Sequence, residues 1–263
     1  LLDSGSTNLG LSDGGFSVGN DDVIYGGDTS KWIKVANAIK ARAHLHLGQY
    51  AEALAAAKAS LTSQDDNMTY TFGTTQQAGW WRFNDGRLGD IEFHPHLRGI
   101  MTGLNDTDRL GVWDVTFNTS HPYLKPNYTQ AYISYREIQF IIAECLSRTN
   151  GSAAEMETAY LNGIKASFLE SGLTEAEYDT YVAQAAVNPG GASLDLEDHI
   201  LTQKYIGLFI QPEVFNDLRR NDFPDIVPTS GSQIPVRWNY SEFEILFNPN
   251  VPAGTLFSPK NSW

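Results

Sequence analysis

Aromatic side chains are concentrated in the middle of the chain, next to side chains that form hydrogen bonds. Trp80, Trp81 and Phe83 lie close together, Asn84 comes directly after them, and Trp113 lies further along the same region. Aromatic faces stack against the C–H faces of pyranose rings, and amide groups form hydrogen bonds with hydroxyls. These five residues therefore predict a sugar-stacking platform. The alternative is that each ring packs onto the core, because Trp and Tyr side chains are mostly buried.

Three carboxylates near this aromatic cluster raise the question of catalysis. Asp85, Asp90 and Glu92 follow the tryptophans, and hydrolysis of a glycosidic bond uses two carboxylates that flank the bond. The chain is acidic throughout, with 31 Asp and Glu residues against 18 Lys and Arg, so a carboxylate is expected near any position. We therefore predict a protein without catalytic residues, and a glycoside hydrolase is the third hypothesis.

Histidines provide the other candidate chemistry. His94 and His96, together with Glu92, have side chains that ligate metals. Pro95 separates the two histidines and no regular element is predicted beneath them, which favours histidines at the surface. The sequence also contains no phosphate-binding loop, no dinucleotide-binding glycine pattern and no nucleophile elbow. We predict no metal and no cofactor.

The charge balance and the cysteine content exclude several classes of protein. The 263 residues carry a formal net charge of −13. Nucleic-acid binding relies on a basic footprint, and anionic membrane surfaces attract basic segments, so neither is an expected partner. The single cysteine, Cys145, excludes a disulfide or a thiolate zinc cluster within this chain, and it is expected to be a small buried side chain.

The elements that must position the candidate residues are helices, beginning with a hairpin at residues 32–61. Gly48 separates two apolar stripes at helical spacing, and Asp28 or Thr29 would cap the first helix. The first stripe consists of Trp32, Val35, Ala36, Ile39, Ala43 and Leu47, and the second of Tyr50, Ala53, Leu54, Ala57 and Leu61. Residues 48–54, Gly-x-Tyr followed by Glu-Ala-Leu, are typical of the second half of a tetratricopeptide repeat, and an ordinary helical hairpin is the alternative.

Further helices are predicted at residues 131–149, 152–168, 174–186, 196–209 and 212–220. Residues 165–168 are similar to residues 58–61, which indicates an internal repeat with a large insertion between the copies. The predicted fold class is all-α, with tetratricopeptide-type helical hairpins and long irregular loop insertions. Residues 1–263 are expected to form a single domain, with an irregular segment at 1–27, a loop insertion at 62–130 and an extended tail at 222–263.

Asp217, Arg219 and Arg220 form a concentrated group of charges at the end of the last predicted helix. Arginine pairs bidentately with carboxylates and satisfies carbonyl groups at helix ends. Because exposed ion pairs contribute little to stability, a structural role for this group requires burial. We predict a buried network that holds the fold together and takes no part in ligand binding.

Several motifs, in their order along the chain, resemble those of the SusD/RagB family. The matching stretches are residues 25–32, 106–110, 136–144, 211–220 and 222–224, and residues 234–237 with Tyr240, Glu244 and Asn248. Ser241 departs from the family pattern, which has proline there. Family members are usually about twice this length, so the resemblance implies the C-terminal portion of such a protein, without the lipoprotein signal and the N-terminal helical part.

The resemblance implies a function at the cell surface. Family members are lipoproteins on the outer membrane of Bacteroidetes-type bacteria, where they capture glycans and lie as a lid on a SusC-like TonB-dependent transporter. We therefore expect a non-enzymatic protein that binds an oligosaccharide or other nutrient and delivers it to such a transporter during polysaccharide utilisation. The alternative is a tetratricopeptide-type scaffold that binds another protein through its concave helical face.

Overall fold

Helices make up most of the computed structural model, which describes residues 1–11, 19–115, 121–229, 231, 233–252, 254 and 256–257. The α-helices of these ranges are α1 (Leu2–Leu9), α2 (Thr29–His46), α3 (Tyr50–Lys58), α4 (Gly79–Gly86), α5 (Pro95–Gly103), α6 (Thr107–Trp113), α7 (Tyr135–Arg148), α8 (Ala153–Glu170), α9 (Glu175–Val182), α10 (Thr202–Gly207), α11 (Glu213–Asn221) and α12 (Glu242–Phe247). A π-helical turn, Leu196–Leu201, leads into α10. Two strands, β1 (Met68–Thr71) and β2 (Thr129–Ile133), pair antiparallel. The predicted all-α class is confirmed, and none of the described helices has the length and apolar character needed to cross a membrane.

Helices α2 and α3 form the predicted first hairpin. Asp28 caps α2 by accepting hydrogen bonds from two backbone N–H groups of its first turn, and Gly48 makes the turn with a φ of 70°. The buried apolar side chains of the hairpin are Val35, Ala36, Ala38, Ala41 and Leu45 together with Ala53, Ala56, Ala57 and Leu61. Three of the six members of the predicted first stripe are exposed, namely Ile39, Ala43 and Leu47. The face on which the helices touch is rich in alanine, because small side chains let two backbones approach closely.

Helices α7 and α8 form the second hairpin, and α3 packs against α7 so that the two hairpins stack. A glycine permits the close approach of α7 and α8. A Cβ atom at Gly163 of α8 would lie 2.9 Å from ring atoms of Phe140 on α7. Cys145 is buried in α7, as expected, and burial raises the pKa of its thiol to about 12. Helix α7 is therefore packed against both α3 and α8, and we call α7 and α8 the central hairpin.

The two-stranded ribbon formed by β1 and β2 leads directly into α7. The prediction of one helix over residues 131–149 is wrong at its start, because β2 continues to Ile133 and α7 begins at Tyr135. Ser134 between them caps the helix by accepting a hydrogen bond from the backbone N–H of Glu137. The ribbon therefore connects the 62–130 insertion to the central hairpin.

Three segments that were predicted to be irregular or extended contain helices. Helix α1 lies within residues 1–27, helices α4, α5 and α6 lie within residues 62–130, and α12 lies within residues 222–263. The longest of these helices has 9 residues, so apolar periodicity has too few turns in which to appear. Residues 12–18, 116–120, 230, 232, 253, 255 and 258–263 of these segments lie outside the described part of the chain.

A buried carboxylate joins the C-terminal helices to α7. Glu144 has no exposed surface, and its oxygens lie 3.0 Å from Lys204 of α10, 2.6 Å from Arg220 of α11 and 3.0 Å from Arg148. Burial alone would raise the pKa of Glu144, but Lys204 and Arg220 hold it well below its usual range. The carboxylate is therefore charged and ties three helices together.

Asp217 and Arg220 of the predicted network are partly buried and pair with charged groups at the end of α11. Asp217 pairs with Lys204 at 2.8 Å and with Arg220 at 2.6 Å, beside the buried Glu144. The guanidinium of Arg219 lies over the ring of Phe215, 5.6 Å from its centroid. The charges of α11 therefore serve mainly to hold this helix against the core.

Replacing Gly163 with alanine should destabilise the protein by about 1–3 kcal/mol, because the added methyl group overlaps the ring of Phe140. Gly111→Ala is the matched control, since no atom lies within 4 Å of its added Cβ and alanine favours a helix over glycine by up to about 1 kcal/mol. Denaturant unfolding of both variants measures the difference. Equal stabilities of the two variants would contradict the close packing of α7 on α8.

Replacing Glu144 with glutamine should lower the free energy of unfolding by about 3 kcal/mol, because buried cations lose their main counter-charge. Glu155→Gln is the control, since Glu155 forms an exposed pair with Lys58. This replacement should change the free energy of unfolding by less than about 1 kcal/mol.

The stabilisation by Glu144 should also depend on pH. The folded-state pKa of Glu144 is lowered, so its contribution to stability is present above the unfolded-state pKa and is lost as the pH falls through the folded-state pKa. Urea unfolding across acidic pH should show the wild type approaching the variant. A constant difference down to the lowest pH would oppose this account.

Candidate ligand-binding groove

A groove with a volume of about 570 Å³ opens between α4, the ribbon and the start of α11. We call it the ribbon groove. Its lining residues are Arg42, Phe72, Gly79, Trp80, Phe83, Gln130, Ala131, Tyr132, Gln211, Pro212 and Glu213. Ligand sites in proteins typically occupy about 300–1,000 Å³ and combine apolar walls with a few polar groups. The ribbon groove has this size and this composition.

Aromatic rings form two of the walls. Trp80 and Phe83 are three residues apart on α4, so both side chains lie on one face of the helix. They remain 36% and 46% exposed, respectively. Phe72 and Tyr132 contribute further rings from the ribbon. Exposed rings within a concave surface offer flat apolar faces to a ligand.

Amide side chains line the polar edge of the groove. Gln130 of β2 donates from Nε2 to the backbone carbonyl of Ala131 at 2.9 Å and lies 3.5 Å from Oε1 of Gln211. The Nε2 group of Gln211 is buried and has no hydrogen-bond acceptor among the described residues. A buried donor without an acceptor costs free energy. Gln211, which lines the groove, is therefore the candidate hydrogen-bond donor at this edge.

Paired charges close one end of the groove. Arg42 donates to both carboxylate oxygens of Glu137 at 2.7 Å and to the backbone carbonyl of Tyr132 at 2.9 Å. Glu213 lies 3.1 Å from Nε2 of His46 and 3.7 Å from Arg42. Burial alone would raise the pKa of Glu213, but His46 and Arg42 lower it to about 2. These pairs hold the ribbon and the start of α11 against α2.

Two of the five residues predicted to bind a ligand line the groove. Trp80 and Phe83 do so, with their rings on the same side of α4. Trp81 is half-buried and lies next to the groove lining in sequence without forming part of it. The helical conformation of this stretch separates neighbouring residues, because successive positions on a helix point in different directions.

The other two predicted residues are buried. Asn84 lies on the inner side of α4, and Trp113 has no exposed surface. The ring of Trp113 stacks on Phe209, with the ring centroids 4.9 Å apart. Neither side chain reaches solvent, so we leave Asn84 and Trp113 out of the candidate site. For Trp113 the alternative interpretation, an aromatic ring that packs onto the core, describes its environment.

The candidate catalytic and metal-binding side chains lie elsewhere. Asp85, Asp90 and Glu92 are exposed and do not line the groove. His94 accepts a hydrogen bond from the backbone N–H of His96 at 3.1 Å and thereby caps α5. Within the described ranges, no three potential metal ligands come together.

Sequence reasoning missed the residues that the ribbon, α2 and α11 contribute to the groove. Gln130 and Tyr132 alternate along β2, which is a strand signal, but the apolar residues of β2 merge with the pattern of α7. Arg42 and Gln211 are brought to the groove by packing between distant parts of the chain. Only the three-dimensional structure identifies them as neighbours.

A sequence model of the SusD-like family, described as starch-binding and associating with the outer membrane, matches residues 2–118 and 112–241. The chain belongs to the SusD-like family. This confirms the resemblance found in the sequence motifs, and the matched ranges include every residue that lines the ribbon groove. No curated protein sequence matches this SusD-like chain.

Solved structures share the fold of this SusD-like chain. A SusD/RagB family protein from Bacteroides thetaiotaomicron is 24% identical, with a TM-score of 0.69 over 94% of this chain and 66% of its own. A chitin-binding protein is 23% identical, with a TM-score of 0.73 over 95% and 67%. A SusD homologue from Bacteroides fragilis is 21% identical, with a TM-score of 0.73 over 94% and 68%. This chain therefore spans about two thirds of the length of these structures.

The two tryptophans should differ sharply in their contribution to stability. Trp113→Ala leaves a cavity in the core and should lower the free energy of unfolding by about 3–5 kcal/mol. Trp80→Ala removes an exposed ring and should lower it by less than about 1 kcal/mol. Chemical denaturation of both variants measures the two values. Similar losses would show that Trp80 is also a core residue.

Proposed function

We propose that this SusD-like chain binds an oligosaccharide in the ribbon groove and does not hydrolyse it. In the proposed complex, Trp80 and Phe83 stack against sugar rings, with the half-buried Trp81 at the edge of the site. Gln211 and Gln130 form hydrogen bonds with sugar hydroxyls. The observation that carries the proposal is the pair of exposed rings on one face of α4, facing a groove edged by a buried amide donor without an acceptor in the described chain.

The comparisons support a polysaccharide as the source of the ligand. The family is described as starch-binding, and a protein with the same fold is described as chitin-binding. Stacking and a few hydrogen bonds give weak affinities, so we expect dissociation constants on the order of micromolar to millimolar.

The charges of the groove favour binding over hydrolysis. Glu213 is the single carboxylate among the described residues that line it. Its oxygens are already paired with His46 and Arg42, whereas glycoside hydrolysis uses two carboxylates that flank the bond. A single, fully paired carboxylate is poorly suited to act as a general acid or as a nucleophile.

The proposal extends to the cellular setting. We place the protein at the outer-membrane surface as an exposed lipoprotein that delivers its ligand to a SusC-like TonB-dependent transporter, with residues 1–263 acting as one domain. The family description, which names association with the outer membrane, supports this location. The net charge of −13 keeps nucleic acid out of the proposed partners.

Replacing Trp80 or Phe83 with alanine should weaken oligosaccharide binding by roughly tenfold, because each loses a stacking surface. Isothermal titration with starch- and chitin-derived oligosaccharides measures the affinities. Trp238→Ala is the matched control, since Trp238 is also exposed but lies outside the groove. The Trp238→Ala variant should bind the oligosaccharides with the same affinity as the wild type.

Three outcomes would count against the proposal. They are the absence of binding to any of these oligosaccharides by the wild type, binding by the Trp80 and Phe83 variants that equals that of the wild type, and cleavage of the bound oligosaccharide. Product analysis after prolonged incubation distinguishes the last outcome from simple binding.

A further inference from the structure

A second cavity, with a volume of about 420 Å³, lies on the opposite face of the ribbon. Thr129 of β2 lines this cavity, whereas the neighbouring Gln130 lines the ribbon groove. Successive side chains of a strand point to opposite faces, so one strand separates the two cavities. We call the second cavity the arginine pocket, after Arg136, which lines it.

The guanidinium of Arg136 is buried with few partners. Its side chain is 3% exposed, and its Nε lies 3.2 Å from Oε2 of Glu170. This ion pair lacks the alignment of a hydrogen bond, and Nε has no acceptor in the described chain. Burying an N–H donor of a guanidinium without an acceptor costs free energy. The pocket therefore presents a charged donor group that a ligand can satisfy.

The charge balance of the arginine pocket is positive. Lys125 is exposed at the pocket and forms no ion pair with any described residue. Glu170 is the single carboxylate among the described lining residues, so two cations face one anion. Arg136 is also the second residue of α7, near the positive end of the helix dipole. A local positive site is unusual in a chain with a net charge of −13.

Two tyrosines supply a ring surface and polar groups. Tyr123 and Tyr128 pack edge to face, with ring centroids 5.4 Å apart, and both line the pocket. Burial raises the pKa of both hydroxyls, so they remain protonated and can donate hydrogen bonds. The pocket thus combines an aromatic wall, neutral donors and a cationic end.

We propose that the arginine pocket binds a sugar acid, which is a pyranose ring that carries a carboxylate. The carboxylate pairs with the planar guanidinium of Arg136 and with Lys125, because a carboxylate matches the guanidinium in geometry and charge. The sugar ring lies against Tyr128 and takes a hydrogen bond from its hydroxyl. This site is separate from the ribbon groove and does not depend on what the groove binds.

NMR titration of the full chain with galacturonate, galactose and acetate tests the proposal. Galacturonate should bind at least roughly tenfold more tightly than either galactose, which lacks the carboxylate, or acetate, which lacks the ring.

Substitutions in the pocket test the same proposal. Lys125→Gln should weaken galacturonate binding several-fold, and because Lys125 is exposed, the substitution leaves the fold unaffected. Arg136→Lys keeps the charge but loses the planar fork, so it should weaken binding by roughly tenfold. Glu170→Gln should strengthen binding, because the competing carboxylate is removed.

The opposite effects of these substitutions make the test decisive. A purely structural role for the Arg136–Glu170 pair predicts no gain of affinity in Glu170→Gln. Equal affinities for galacturonate and galactose, equal affinities for galacturonate and acetate, or unchanged binding by Lys125→Gln would overturn the proposal. If Arg136→Lys does not fold, Lys125→Gln and Glu170→Gln decide the question. Trp80→Ala should leave galacturonate binding unchanged, which separates this site from the ribbon groove.

Discussion

The burial of one carboxylate, Glu144, constrains much of the structure. A charge without exposure to water is tolerated only when opposite charges surround it, so Lys204 and Arg220 must both reach α7. Their arrival fixes α10 and the C-terminal end of α11 against the central hairpin. The other end of α11 carries Glu213, which pairs with α2, and follows Gln211 at the edge of the ribbon groove. The polar edge of the groove is therefore positioned by the buried Glu144 together with Lys204 and Arg220.

Most of the helical frame was predictable from local signals, and the buried face of α2 shows where such signals fail. The cap at Asp28 is present as the sequence indicated, and the helix predicted from residue 174 begins with a capping box of Thr174 and Glu177. The face of α2 was less accurately predicted, since Ile39 is exposed whereas Ala38 is buried. Hydrophobicity ranks isoleucine above alanine, but two helices that touch backbone to backbone exclude the larger side chain. The distance between packed helices, which no single segment encodes, determines which side chains of α2 are buried.

The candidate site was predictable in chemical type but only partly in its members. Trp80 and Trp113 are the same residue type within one segment, and their different exposure follows from a contact with Phe209, far away in the sequence. The polar partners Gln130 and Gln211 carry no motif and meet only in the folded chain. Composition can therefore suggest stacking on aromatic rings, whereas the identity of the accessible ring and of its hydrogen-bonding neighbours depends on tertiary packing.

The ribbon is a minor part of the fold, yet its pairing determines the chemistry of two cavities. Gln130 and Tyr132 point into one cavity and Thr129 into the other. Because side chains alternate along a strand, a slip of one residue in the pairing would turn each of them to the opposite side. The hydroxyls of Thr71 and Thr129, 2.9 Å apart across the two strands, favour the observed alignment. A shift of one residue in the pairing of β1 and β2 would thus exchange the side chains that Gln130, Tyr132 and Thr129 present to the two cavities.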